Sequence, residues 1–165
     1  MQVTEKWLKE EYVCAEGLDW FLNQSETDLY KLINKLIEEK HENWANWLIT
    51  TAMSRQQKLE YAITCAELVL PVFEEEYPND GRPRAAIEAA KAVLAEDSEE
   101  NRKAGYAAAD AAWAAACSTG YAAAYAADAA GEAACLTGYA AVYAAYATNW
   151  EPILEIGIKI LKGNK

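Results

Sequence analysis

Two aspartates in an alanine-rich segment are the side chains of this sequence best suited to chemistry. Asp110 and Asp128 lie 18 residues apart, each among alanines and close to tyrosines. A carboxylate pair in apolar surroundings could act as general acid and base or bind a metal ion. More commonly such carboxylates accept hydrogen bonds from tyrosine hydroxyls, and we expect a buried polar seam of this kind. Its expected members are Asp110, Asp128, Tyr121, Tyr125, Tyr139 and Tyr143.

The other reactive side chains show no spacing typical of a catalytic or metal site. The sequence has one histidine, His41, and no GxSxG, P-loop, GxGxxG or HExxH motif. Its four cysteines have no CxxC spacing, and His41 lies far in sequence from Cys117 and Cys135. We expect the thiols to be small buried apolar groups. The sequence therefore predicts no catalytic residue, no cofactor and no metal, and a protein that is not an enzyme.

The charge of the chain favours a basic protein as its partner. The sequence has 26 acidic and 15 basic residues, a net charge of −11 and a pI of about 4.6. Long-range repulsion then opposes binding to nucleic-acid backbones and to anionic membranes, and we expect neither as a partner. The other explanation is that the acidic residues keep an alanine-rich protein soluble. The N-terminal stretch MQVTEKWLKEEYV lacks the pattern of a signal peptide, so we expect a cytoplasmic protein.

Helical periodicity runs along the chain, and strand signals are almost absent. We predict an all-α fold, a single compact multi-helix bundle over residues 1–165 with an alanine-rich C-terminal helical layer. Its predicted parts are N-terminal helices (1–53), a motif region (54–95), Ala/Tyr-rich repeat helices (98–148) and a C-terminal helix (149–165).

Several helix ends have local signals. A first helix is expected over residues 5–22, weakened at Gly17, and Ser25 is expected to cap the next one. Ser54 with Gln57 predicts a capping box at the start of a long helix, and Ser98 is a further N-cap. Pro71 predicts a kink or a break of the long helix near Leu70. The stretch YPNDGRPR is a loop signal, with Pro83 suited to the first position of the following helix.

An 18-residue repeat occupies the alanine-rich segment. Residues 108–127 read AADAAWAAACSTGYAAAYAA, and residues 126–145 read AADAAGEAACLTGYAAVYAA. The repeat length corresponds to five helical turns, so one long helix is possible, but it would span about 75 Å. We expect instead a break at each Thr-Gly and short helices folded into hairpins, with alanine allowing close approach of their axes.

The segment from Leu59 to Leu94 carries the motifs YAITCAELVLPVFEEEYP and DGRPRAAIEAAKA, and an alanine-rich tail follows to about Tyr146. In these motifs the chain resembles the immunity proteins of bacterial toxin–immunity systems. The resemblance implies an all-helical cytoplasmic protein without enzymatic activity that protects against a toxin by binding it. Members of that family carry histidines in the tail, where this sequence has none, so no role of those histidines is carried over. The exposed partner-surface candidates within the motifs are Glu74, Glu75, Glu76, Asp80, Arg82 and Arg84.

A binding protein that neutralises a toxin or nuclease is therefore the leading hypothesis. The alternatives are a phage-type inhibitor of a host defence system that acts as an acidic decoy, a small-molecule binder with a Tyr-lined pocket, and a helical enzyme based on Asp110 and Asp128. The six candidates around YPNDGRPR are equally explained by loop structure and helix-start electrostatics. A homodimer through the alanine-rich helices is a further expectation.

Overall fold

The computed structural model describes residues 1–117, 119–134 and 139–163. Within these ranges the backbone forms 10 α-helices, and the one strand-like pairing is an antiparallel bridge between Gln2 and Asp28. The prediction of an all-α fold is confirmed. The helices are α1 (Glu5–Glu10), α2 (Ala15–Leu22), α3 (Leu29–Glu38), α4 (Glu42–Ala52), α5 (Arg55–Glu76), α6 (Arg82–Ala95), α7 (Glu99–Ala116), α8 (Tyr121–Ala134), α9 (Tyr139–Ala147) and α10 (Trp150–Lys162).

The contacts divide the chain into two compact units. The N-terminal unit is Met1–Ala52, with α1 to α4, and the C-terminal unit is Met53–Lys165, with α5 to α10. In the first unit α1 packs on α2 and α3 packs on α4. In the second, α5 and α8 each contact several of the other helices.

The first predicted helix is in fact two helices. Tyr12 has a φ of 58°, in the left-handed region, so the helix that begins at Glu5 cannot continue through it. A new helix begins after Cys14, whose Sγ accepts a hydrogen bond from the backbone N–H of Gly17 at 3.4 Å. The expected weak point at Gly17 was therefore wrong, because Gly17 lies in the first turn of α2.

Asp28, and not Ser25, caps α3. The backbone N–H of Val3 donates to the Thr27 carbonyl at 2.8 Å, and that of Leu29 donates to the Met1 carbonyl at 3.1 Å. This pairing keeps the chain extended up to Asp28, so a helix can begin only after it. The Asp28 carboxylate then accepts from the N–H groups of Tyr30 and Lys31 at 3.1 and 3.2 Å.

Helix α5 begins as predicted but does not break at Pro71. The capping box of Ser54 and Gln57 is present, with reciprocal hydrogen bonds of 3.3 and 3.0 Å. The helix then continues through Pro71 to Glu76. An interior proline costs about 3 kcal/mol, whereas burying one large apolar side chain contributes about 1.5–3 kcal/mol. Val69, Leu70 and Phe73 around the proline are all buried, so packing outweighs the lost hydrogen bond.

The alanine repeat forms separate helices that pack against each other. Helix α7 begins after Ser98, as predicted, and ends at Ala116, and α8 begins directly after the Thr119-Gly120 junction. Helix α8 packs on both α7 and α9, which confirms the hairpin arrangement over the single long helix. The second Thr-Gly junction lies outside the described residues. Pro83 occupies the second rather than the first position of α6.

Helix α8 is the centre of the second unit because its buried side chains are almost all methyl groups. It contacts α5, α6, α7 and α9. Without larger side chains between them, helix axes come closer than the usual spacing of about 8–10 Å. The fully buried alanines of α8 are Ala123, Ala126, Ala127, Ala129, Ala130 and Ala133.

The closest approach, at Gly131, generates a stability prediction. A Cβ atom on Gly131 would lie 2.7 Å from Nε1 of Trp113 and 2.9 Å from its Cδ1, too close for contact. Gly131→Ala should therefore destabilise the protein by roughly 1–3 kcal/mol, measured by urea unfolding. In a Trp113→Leu background the clash is gone, and the same substitution should stabilise by up to about 1 kcal/mol through helix propensity. Equal effects in both backgrounds would contradict the close contact.

Candidate functional site

The six partner-surface candidates lie at the end of α5, the following loop and the start of α6. We call this region, residues 74–84, the 74–84 surface. Glu75, Glu76, Arg82 and Arg84 are exposed, and Glu74 and Asp80 are half-buried. Four carboxylates and two guanidinium groups give the six residues a net charge of −2.

Both arginines of the 74–84 surface are held by carboxylates. Arg84 donates from Nε and Nη2 to the two oxygens of Glu74 at 2.7 and 2.6 Å, which raises the pKa of Arg84. Arg82 donates from Nε to Asp80 Oδ1 at 2.9 Å and from Nη2 to Oδ2 at 2.5 Å, and this lowers the pKa of Asp80. The first pair joins α5 to α6, and the second shapes the loop. The arginines are therefore structural at least in part, in line with the alternative that the sequence left open.

Glu75 and Glu76 have no such structural explanation. They stand in the last turn of α5, where the helix dipole is negative and where acidic side chains are disfavoured. The last turn contains no basic residue. Glu76 accepts a hydrogen bond from the Tyr77 hydroxyl at 2.9 Å, which raises the pKa of Tyr77, while Glu75 projects at the surface. Stability alone would not place these carboxylates at this helix end.

The acidic surface continues along α5 and α6 beyond the residues that sequence analysis singled out. Lys91 on α6 contacts Glu67 on α5 at 2.9 Å and Glu88 on its own helix at 2.7 Å. The three-residue spacing of Glu88 and Lys91 on one helix can be read from the sequence. The contact between Glu67 and Lys91 cannot, because it depends on how α5 and α6 are aligned.

The predicted polar seam does not form as a buried unit. Asp110 is exposed, because it follows the buried Ala109 by one residue and so points away from the inner face of α7. Tyr139 is 65% exposed, which also contradicts the prediction. Asp128, Tyr125 and Tyr143 are half-buried, and the side chain of Tyr121 lies outside the described part of the chain.

A smaller group of tyrosines does come together between α8 and α9. The ring centroids of Tyr125 and Tyr143 are 6.1 Å apart, and those of Tyr125 and Tyr146 are 5.2 Å apart. Sequence analysis missed Tyr146, although it follows Tyr143 by three residues and so shares a face of α9 with it. Burial raises the pKa of Asp128, and the nearby charge of Glu132 raises it further.

An apolar cavity of about 330 Å³ lies within the N-terminal unit. Its polar groups are few, and the indole Nε1 of Trp20 is already occupied by Glu39 Oε2 at 2.6 Å. The cavity lies among α1 to α4 and the residues that join them. Its lining is Val3, Leu8, Tyr12, Val13, Cys14, Gly17, Trp20, Phe21, Leu32, Leu36, Asn43, Trp44, Trp47 and Leu48.

Comparison with known proteins identifies the family. The family model described as Imm-5 like putative immunity protein matches residues 48–150, well over half of the chain. The chain belongs to this family. No curated protein and no solved structure matches it. The resemblance found in the sequence is thus confirmed, and the matched residues of this family member include the whole 74–84 surface and helices α5 to α9.

Metal-ligating side chains and thiols are the remaining groups of the described residues that could do chemistry. Among residues 1–117, 119–134 and 139–163, no group of three metal-ligating side chains comes together. Nor does any helix in these ranges have the length and apolar character needed to cross a membrane.

Cys65 is buried, and burial raises the pKa of its thiol, so it is a poor nucleophile. Cys14 and Cys117 are exposed, contrary to the expectation of buried thiols, and Cys135 lies outside the described residues.

The thiols provide a test of this burial pattern. At neutral pH, iodoacetamide should alkylate Cys14 and Cys117 and leave Cys65 unmodified, because Cys65 is inaccessible and protonated. Peptide mapping by mass spectrometry reads out each site. In denaturant Cys65 should react as well, which is the control. Rapid labelling of Cys65 in the folded protein would contradict its burial.

Proposed function

We propose that the protein neutralises a protein toxin by binding it directly through the 74–84 surface, without chemistry of its own. The observation that carries this proposal is membership of an immunity-protein family whose matched region includes that surface. The toxin is a basic protein, since the chain has a net charge of −11. We also propose the cytoplasm as the place of binding, where the exposed thiols of Cys14 and Cys117 would stay reduced.

The charges of the 74–84 surface suit a binding role. Glu75 and Glu76 are exposed at a helix end that disfavours them, and functional residues are often placed at such a cost to stability. Their field adds to that of the whole acidic chain and attracts a cationic face from a distance. The paired arginines Arg82 and Arg84 hold the loop in one conformation, so the partner meets an ordered surface.

Co-expression with the products of neighbouring genes tests the proposal. The tagged protein should restore growth to cells that produce a toxic neighbouring product, and should co-purify with it at low salt and less at high salt. Growth rescue without any physical association, or association without rescue, would contradict neutralisation by binding.

Substitution of the two exposed glutamates at the end of α5, Glu75 and Glu76, should weaken the association. Glu75→Gln with Glu76→Gln should lower the association rate roughly three- to tenfold at low salt, while the melting temperature stays unchanged or rises. The matched control is Glu99→Gln with Glu100→Gln, an exposed pair on α7 with the same change of charge. Surface plasmon resonance at two salt concentrations measures both. If both double variants lost the same factor in association rate, the net charge of the chain would be the cause and the 74–84 surface would not.

The cavity of the N-terminal unit favours a second candidate function, binding of a small neutral apolar molecule. Its volume of about 330 Å³ and its aromatic lining are typical of ligand pockets. This replaces the Tyr-lined pocket that the sequence suggested, since the cavity lies within residues 1–52 and is rich in tryptophan. Helices α1 to α3 lie outside the family match, so this function would be additional to toxin binding.

A neutral fluorescent probe tests the cavity. N-phenyl-1-naphthylamine should bind saturably and quench tryptophan emission, because Trp20, Trp44 and Trp47 line the cavity. Val13→Phe, which fills the cavity, should weaken this binding about tenfold or more. Leu22→Phe is the control, because Leu22 belongs to the same unit, is 52% exposed and does not line the cavity. Identical probe affinity in both variants would exclude the cavity as the binding site.

A further inference from the structure

Helices α8 and α9 bring tyrosine rings and carboxylates to a shared edge of the C-terminal unit. On α8, Tyr125, Asp128 and Glu132 follow one another at three- and four-residue spacing and so lie on one face. On α9, Tyr143 and Tyr146 share a face in the same way. We call these five residues the tyrosine–carboxylate patch.

The contacts show that the two faces meet. The Tyr125 ring lies 6.1 Å from that of Tyr143, at an interplanar angle of 32°, and 5.2 Å from that of Tyr146, at 53°. The charges of Asp128 and Glu132 act on Tyr143 and, after burial, are the largest causes of its raised pKa. Tyr125 and Asp128 are three residues apart on α8, so this ring and this carboxylate are neighbours on one helix face.

Asp128 has no basic side chain close to it in the sequence. No lysine, arginine or histidine occurs between Lys103 and Lys159. Within the described part of the molecule Asp128 makes no ion pair. On the neighbouring helices α5 and α6, three of the cations, Arg55, Arg84 and Lys91, are engaged by other carboxylates.

We propose that the tyrosine–carboxylate patch binds an arginine side chain of the toxin, an inference that rests on the function proposed above. A guanidinium group is planar, stacks on aromatic rings and donates two parallel hydrogen bonds to a carboxylate. It is also less strongly hydrated than the ammonium of lysine, so it enters a half-buried site such as that of Asp128 at lower cost.

The exposure of the patch fits an interface rather than a core. Tyr146 is 54% exposed and Tyr125 and Tyr143 are half-buried, so the rings are fixed by their contacts and remain accessible. Tyrosine and arginine are among the residues that contribute most to binding energy at protein interfaces. Binding of a cation would also relieve the repulsion between Asp128 and Glu132.

The first copy of the repeat lacks this arrangement and supplies the control. Asp110 corresponds to Asp128, but the residues 18 positions before Tyr125 and Glu132 are alanines, Ala107 and Ala114. Asp110 is also exposed. Asp128→Asn and Asp110→Asn therefore remove the same charge from equivalent repeat positions, only one of which faces the tyrosines.

The first experiment uses N-acetyl-arginine amide as the probe and the neutral N-acetyl-citrulline amide as its match, at constant ionic strength. NMR of tyrosine-labelled protein should show saturable shifts of Tyr125, Tyr143 and Tyr146 with arginine and none with citrulline. Asp128→Asn and Tyr146→Leu should each weaken the binding about fivefold or more, and Asp110→Asn should not. Equal shifts for both probes, shifts spread over all tyrosines, or equal affinity in Asp128→Asn would overturn the proposal. Unchanged helicity of the variants establishes that they fold.

The second experiment measures the affinity of the same variants for the toxin recovered by co-expression. A loss of about fivefold or more for Asp128→Asn and Tyr146→Leu, with Asp110→Asn unchanged, supports the proposal. Full toxin affinity in both patch variants overturns this inference and leaves the proposed function intact. If no product of a neighbouring gene binds the wild-type protein, the proposed function fails, and the proposed contact between the patch and a toxin arginine fails with it. The titration with N-acetyl-arginine amide still decides whether the patch binds a guanidinium group.

Discussion

The C-terminal unit depends on one constraint, which is that the backbone of α8 must come close to four other helices at once. Its six fully buried alanines present only methyl groups to these helices, and at Gly131 even a methyl group would meet the indole of Trp113. Larger residues at these positions would push α5, α6, α7 and α9 apart. The high alanine content of the repeat is therefore required by helix packing.

This constraint also decides where function can lie. The buried alanines of α8 place methyl groups between the helices, and alanine provides no reactive group. Charged and aromatic side chains of this unit lie at helix ends and edges at the 74–84 surface and around Tyr125 and Tyr143, whereas Tyr61 and Cys65 lie in the core. Exposed groups of this kind suit recognition of a protein surface, in agreement with an immunity-protein family.

Local sequence signals predicted the fold class, the capping box at Ser54 and the separation of the repeat helices, because each depends on residues close in the chain. They failed where distant contacts decide. The pairing of residues 1–3 with 27–29 moved the start of α3 to Asp28, and core packing carried α5 through Pro71. For the candidate site, the sequence motifs located the 74–84 surface. The ion pair between Arg84 and Glu74 and the contact between Tyr125 and Tyr146 could not be predicted, because each depends on how two helices are aligned, and a single sequence does not reveal that alignment.

The two acidic regions of the C-terminal unit would act on binding at different ranges. Exposed carboxylates such as Glu75 attract a cationic partner over roughly the Debye length of 8–10 Å and lose this effect as salt rises. A guanidinium stacked on the rings beside Asp128 acts only at contact and is screened less, because the site is half-buried. The first kind of interaction chiefly sets the association rate and the second the dissociation rate. The proposed capture of a toxin requires both, and the C-terminal unit would provide them through its charged helix ends and its aromatic edge.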